Sequence, residues 1–158
     1  MFGLFSPWMP AGQVRRYAVA FGDPADCGQH FHVRHDLALA RQAQGDLAGA
    51  AGHLQEGLAL AAQAGDETSA AYYLQVLAAV AGQQDNPQRA VRLFAAARSI
   101  LDARGSGWLH AFVPRVPHDD AALAALRSRM SDAAFQEAQT WGRSAGSKRA
   151  VEFALDQA

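Results

Sequence analysis

Cys27, His30, His32 and His35 stand in the pattern C-x-x-H-x-H-x-x-H, four soft or borderline metal ligands within nine residues. Zinc accepts both thiolate and imidazole in tetrahedral sites. On a helix, however, His32 and His35 share one face while His30 points elsewhere, so a single site would need an unwound helix start. The same thiol beside a histidine has the types needed for nucleophilic catalysis. That chemistry also requires oxyanion donors and a carboxylate to orient the base, and only Asp36 offers the latter. A second group, His110, His118, Asp119 and Asp120, contains acid and base types, but Asp119 or Asp120 has a simpler role as the cap of the helix that follows. The expectation is a protein that is not an enzyme and needs no cofactor. Metal binding at Cys27, His30, His32 and His35 is the alternative.

The elements that carry these residues are helical. The chain of 158 residues contains 36 Ala and 15 Leu against 9 Val, 1 Ile and 2 Thr, a balance that suits helices and disfavours pleated sheet. Half the residues are hydrophobic and Pro is only 6, so disorder and fibrous structure are excluded as well. Residues 1–27 differ in texture, with Pro7, Pro10 and Pro24 around a short amphipathic stretch marked by Val14, Ala18 and Phe21. Beyond Cys27 a helix runs to Gly45. Asp46 then caps a second helix that ends at Gly65, a third follows from Glu67, and Asn86 with Pro87 opens a fourth that stops near Gly105. The linker 106–118 holds Trp108, Phe112, Pro114 and Pro117. Three short capping helices are then expected over 120–130, 133–142 behind Ser131, and 148–157 behind Ser147. Phe135 and Trp141 are their largest apolar side chains, and both are expected to be buried.

Sliding the chain by 40 residues sets Leu37 on Leu77, Ala38 on Ala78, Ala50 on Ala90, Leu54 on Phe94, Leu60 on Ile100 and Gly65 on Gly105. A fixed period in this range marks helical arrays, in which each helix pair buries its apolar face against the next. The expected organisation is an N-terminal extension over 1–27 and a repeat domain over 28–158. Within that domain the pairs are 28–65 and 67–105, the linker is 106–118, and the capping helices occupy 119–158. Small residues fall where paired helices cross closely: Ala38, Ala50 and Gly57, then Ala78, Ala90 and Ala97.

The segment QGDLAGAAGHLQEGLALAAQAGD, answered by QQDNPQRAVRLFAAARSILDARGS, resembles tetratricopeptide-type helix pairs. The run from about Leu37 to Leu155, with DAAFQEAQTWGR and then RAVEFAL near its end, resembles the C-terminal repeat region of large bacterial ATP-binding transcriptional regulators of the MalT-like and LuxR-like type. The chain departs from that family in having neither GxxxxGK[ST] nor a recognition helix for DNA. It also has Arg34 where the second pair has the large apolar residue Leu74. The resemblance implies an all-α tetratricopeptide-like array acting as a sensor or scaffold part. In tetratricopeptide arrays the first helix of each pair lines a concave groove. Carried onto this chain, that selects His32, His35 and Gln42 in the first pair and Tyr72, Gln75 and Gln83 in the second, with Trp108 added from the linker.

Partners follow from the same surface and from charge. A groove of this composition suits a protein or peptide segment. The alternative is a small-molecule sensor with an aromatic pocket between Tyr72, Trp108 and the C-terminal helices. The N-terminal face of the first pair is bare unless residues 14–21 or a second copy of the chain cover it, which makes self-association a further expectation. The net charge is -1, and the basic residues near the C-terminus are interspersed with acids, which argues against direct binding of nucleic acid. A lone cysteine excludes an intrachain disulfide, and no run of 18 apolar residues exists to span a membrane. A bacterial, cytoplasmic protein is expected.

Overall fold

The computed structural model describes the backbone of residues 24–105 and 119–156, with side chains over 34–105 and 120–156. Those residues form six helices: α1 Pro24–Ala43, α2 Leu47–Ala64, α3 Glu67–Gln83, α4 Pro87–Ala103, α5 Asp119–Arg127 and α6 Asp132–Leu155. No strand occurs among the described residues. Consecutive helices from α1 to α4 pack on one another, and α6 lies across α4 while also reaching α3 and α2.

The turns between the first four helices share one construction. At Gly45, Gly65 and Asp85 the backbone enters the left-handed region, with φ of 81°, 68° and 63°. The next residue donates its N–H to a carbonyl five positions back: Asp46 to Arg41, Asp66 to Ala61, Asn86 to Ala81. This is the Schellman closure, which satisfies carbonyls the helix end leaves open. The side chain of that same residue accepts from the N–H three positions on, at Gly49, Ser69 and Arg89. One residue therefore closes one helix and caps the next. The left-handed positions fall at 45, 65 and 85, and Gly105 with φ 65° continues the series. The 40-residue spacing read from the sequence is two of these intervals.

Packing follows from residue size. Ala38, Ala50, Ala78, Ala90 and Ala97 are fully covered, and Gly57 is buried with the ring of Tyr73 occupying the space its Cβ would need. Every residue from 70 to 78 of α3 is buried. A helix that is apolar round its circumference belongs inside. The first pair differs at Arg34, which forms an ion pair with Glu56 of α2. Its counterpart Leu74 is fully buried.

Three boundaries differ from the sequence reading. Pro24 opens α1, so the division placed between 27 and 28 falls inside a helix; proline suits a first helical turn because its missing N–H has no partner there. The helix expected over 120–130 occupies Asp119–Arg127. The two helices expected over 133–142 and 148–157 are present as the two segments of α6, but they abut at the single non-helical residue Gly146, φ 70°, ψ 168°, rather than being separated over 143–147. Residues 14–21 and the linker 106–118 lie outside the described residues.

The C-terminal part is fastened at several points. Ser131 caps α6 by accepting from the N–H of Ala134. Arg129 reaches back to the carbonyl of Gly82 at 2.8 Å and to the Asp85 carboxylate, holding the left-handed turn. At the far end of α6, Gln55 and Arg89 donate to the Ala154 carbonyl at 3.2 and 2.9 Å. Phe135 is buried, as expected, but Trp141 is only half-buried. It lies 4.6 Å from the ring of Phe153 between the guanidinium groups of Arg92 and Arg149.

Candidate functional site

Helix α1 carries Cys27, His30, His32 and His35. Of these only His35 has a described side chain, and it is buried, 3.9 Å from the Asp36 carboxylate. The side chains of Cys27, His30 and His32 lie outside the described residues, as do Trp108, His110 and His118. No group of three histidine, cysteine or acidic side chains comes together among the described residues. Asp119 opens α5, and Asp120 pairs with Arg98 of α4 at 3.2 Å.

Those of the groove residues that are described are not gathered on one open face. Tyr72 and Gln75 lie in the interior, Gln42 is half-buried, and Gln83 is exposed near the end of α3. The reason lies in the composition of α3. Between Ala70 and Gly82 its only polar side chain besides the tyrosine hydroxyls is Gln75, so the helix offers no polar stripe to leave in water. Burial raises the Tyr72 and Tyr73 phenols above their ordinary pKa, because a low-dielectric surrounding disfavours the phenolate.

A different polar site is assembled where three turns meet. Asp66 caps α3 and is itself buried. Glu67, in the first turn of α3, forms an ion pair with Arg104 at the end of α4 and accepts a 2.6 Å hydrogen bond from the Ser147 hydroxyl. The kink at Gly146 delivers Ser147 there, because a straight α6 would carry that residue elsewhere. Beside this chain of bonds lies a cleft of about 580 Å³, whose lining also includes Ala62, Ala70, Val151, Lys148 and Glu152. Such a volume lies within the range of small-ligand sites, about 300 to 1,000 Å³.

The opposite edge of α6 is a ladder of cations and rings. Arg89 sits 4.9 Å from the centre of Phe153, and Arg92 lies 5.7 Å from Phe153 and 5.5 Å from Trp141. Arg89 also donates to the Ala154 and Asp156 carbonyls, while Arg92 pairs with Glu137 at 3.5 Å. Burial lowers the Arg89 pKa, with the Asp156 carboxylate opposing. With those groups engaged inside the molecule, the ladder joins α6 to α4.

None of the cleft residues was singled out as a site by sequence reasoning. In the sequence Ser147 reads as a helix cap and Glu67 only as the start of the third helix. Positions 67, 104 and 147 are too far apart for any local signal to connect them. Comparison with protein-family models, with curated proteins and with solved structures finds no match to this chain.

Proposed function

We propose that this chain is a non-enzymatic helical-repeat module that holds a protein or peptide segment, working in the bacterial cytoplasm as the sensor or scaffold part of a transcriptional regulator. The observation that supports the repeat reading is the common turn at 45, 65 and 85, where one residue ends a helix and caps the next. Arrays of stacked helix pairs bind through extended concave surfaces. With Tyr72, Gln75 and His35 inside, the described groove positions that reach the surface are Gln42 on α1 and Gln83 on α3. Gln42 is half-buried, and Leu37, on another side of α1, is 44% exposed. No described helix is long and apolar enough to cross a membrane.

Proximity labelling in bacterial cells tests the reading, comparing the natural chain with a Leu37→Glu, Gln42→Glu double variant whose melting curve is unchanged. The module reading expects a specific neighbour that the double variant loses. Identical neighbour sets for both proteins would remove it. Sedimentation of the purified chain separates a second copy from a foreign partner, since only the former gives concentration-dependent mass.

A further inference from the structure

We propose that the cleft between the α2–α3 turn, the end of α4 and the second half of α6 binds a free amino acid with an apolar side chain. This assignment stands apart from the protein-segment reading and uses a different face.

The argument begins with which charges are already spent. Glu67 is engaged by both Arg104 and Ser147, and Asp66 accepts from the backbone and hydroxyl of Ser69. Lys148 and Glu152 also line the cleft, yet they form no ion pair or hydrogen bond through their side chains among the described residues. They stand one helical turn apart with the lysine nearer the N-terminus, the weaker order for an internal pair on a helix. Two opposite, unengaged charges side by side over one cavity complement a molecule that carries a carboxylate and an ammonium close together. Ala62, Ala70 and Val151 provide an apolar surface beside them, suited to an aliphatic side chain. The bond chain from Arg104 through Glu67 to Ser147 ties α3, α4 and α6 together around the cavity, so the walls are set before a ligand arrives.

In this arrangement Lys148 donates to the ligand carboxylate, Glu152 accepts from the ligand ammonium, and the side chain lies against Ala62 and the edge of Val151. Both charges of the ligand contribute. An amino acid lacking either group forfeits one of the two ion pairs, and because Lys148 and Glu152 are exposed that loss lowers affinity by about threefold to fivefold.

Titration of the full chain with L-valine, followed by amide chemical shifts, tests this. Saturable shifts confined to residues 62–70, 104 and 147–152 are expected. N-acetylvaline, which lacks the ammonium, and valine methyl ester, which lacks the carboxylate, should each bind about threefold to fivefold more weakly. Lys148→Met and Glu152→Gln should each weaken valine binding to a similar degree; both positions are exposed, so a melting curve can verify that the variants stay folded. Absence of saturable shifts, shifts centred on another face, or equal binding of N-acetylvaline would each overturn the proposal.

Discussion

At Gly142 an added methyl group would meet the Arg92 carbonyl oxygen and the Ala95 Cβ at 2.5 Å and the Ala96 nitrogen at 2.9 Å. Backbone atoms of a packed helix cannot step aside, so Gly142→Ala should force α6 off α4 and cost about 3 kcal/mol, the upper end of overpacking. Gly52, inside α2 with nothing within 4 Å of its would-be Cβ, should respond in the opposite sense. Gly52→Ala removes backbone freedom from the unfolded chain and should stabilise by about 0.5 to 1 kcal/mol. Urea unfolding of the two variants measures the contrast. Asp46 gives a pH-dependent expectation. The hydrogen bond from Arg41, and then that from the Gly49 N–H, hold its carboxyl below the ordinary value. A carboxyl whose folded pKa is depressed contributes stability above its unfolded pKa, about 3.9, and the contribution is lost as pH falls from there through the folded value. Asp46→Asn keeps an oxygen to accept from Gly49 but cannot titrate. The variant should therefore show a shallower acid limb below about pH 5 in a series of urea melts.

Among the elements, α6 is the one whose shape depends on a single backbone choice. Gly146 sits at φ 70°, ψ 168°, a region open to glycine and closed to other residues at a cost of about 1 to 3 kcal/mol. No atom lies within 4 Å of its would-be Cβ, so Gly146→Ala should lose that amount through the backbone alone. It should also straighten α6 and withdraw Ser147 from Glu67, which thermal melts combined with the Ser147 and Glu67 amide shifts would detect. The helices and their turns were legible in the sequence because the cues are local: Gly45 and Gly65 supply left-handed residues, and Asp46, Asn86 and Pro87 supply caps. The kink was half legible. Ser147 marked the start of a new helix, but nothing local said that it would follow the previous one across a single non-helical residue, Gly146. The burial of Tyr72 and Gln75 had a readable sign in the apolar circumference of α3, which outweighs a positional rule carried over from other arrays. The cleft had none, since its charges come from three turns that meet only after folding.

For the molecule as a whole, α6 joins segments distant in sequence, its last turn tied to Gln55 of α2 and Arg89 of α4. Phe135 is the largest of the buried side chains of α6, and Phe135→Ala should cost about 3 to 5 kcal/mol. That is comparable with the total stability of a small domain. Trp141 is half-buried, and its replacement by Ala should cost less, about 1 to 2 kcal/mol from lost ring and cation contacts. Side-by-side denaturant melts should rank the two variants in that order, and the reverse order would mean that the outer ladder, not the inner face, holds α6. The turns set a further rule at this scale. Because Asp46, Asp66 and Asn86 each serve two helices at once, no spare residue separates one helix from the next. A single residue inserted within a helix would rotate everything after it by about 100°, turning a buried face toward water, and one inserted at a turn would part the closing bond from the cap that the same residue supplies. A block of 40 residues, by contrast, returns each helix to its own place in the series. Heritable change in length is thus quantised in this chain: duplication of a whole block can extend it, and a stray codon at a turn cannot.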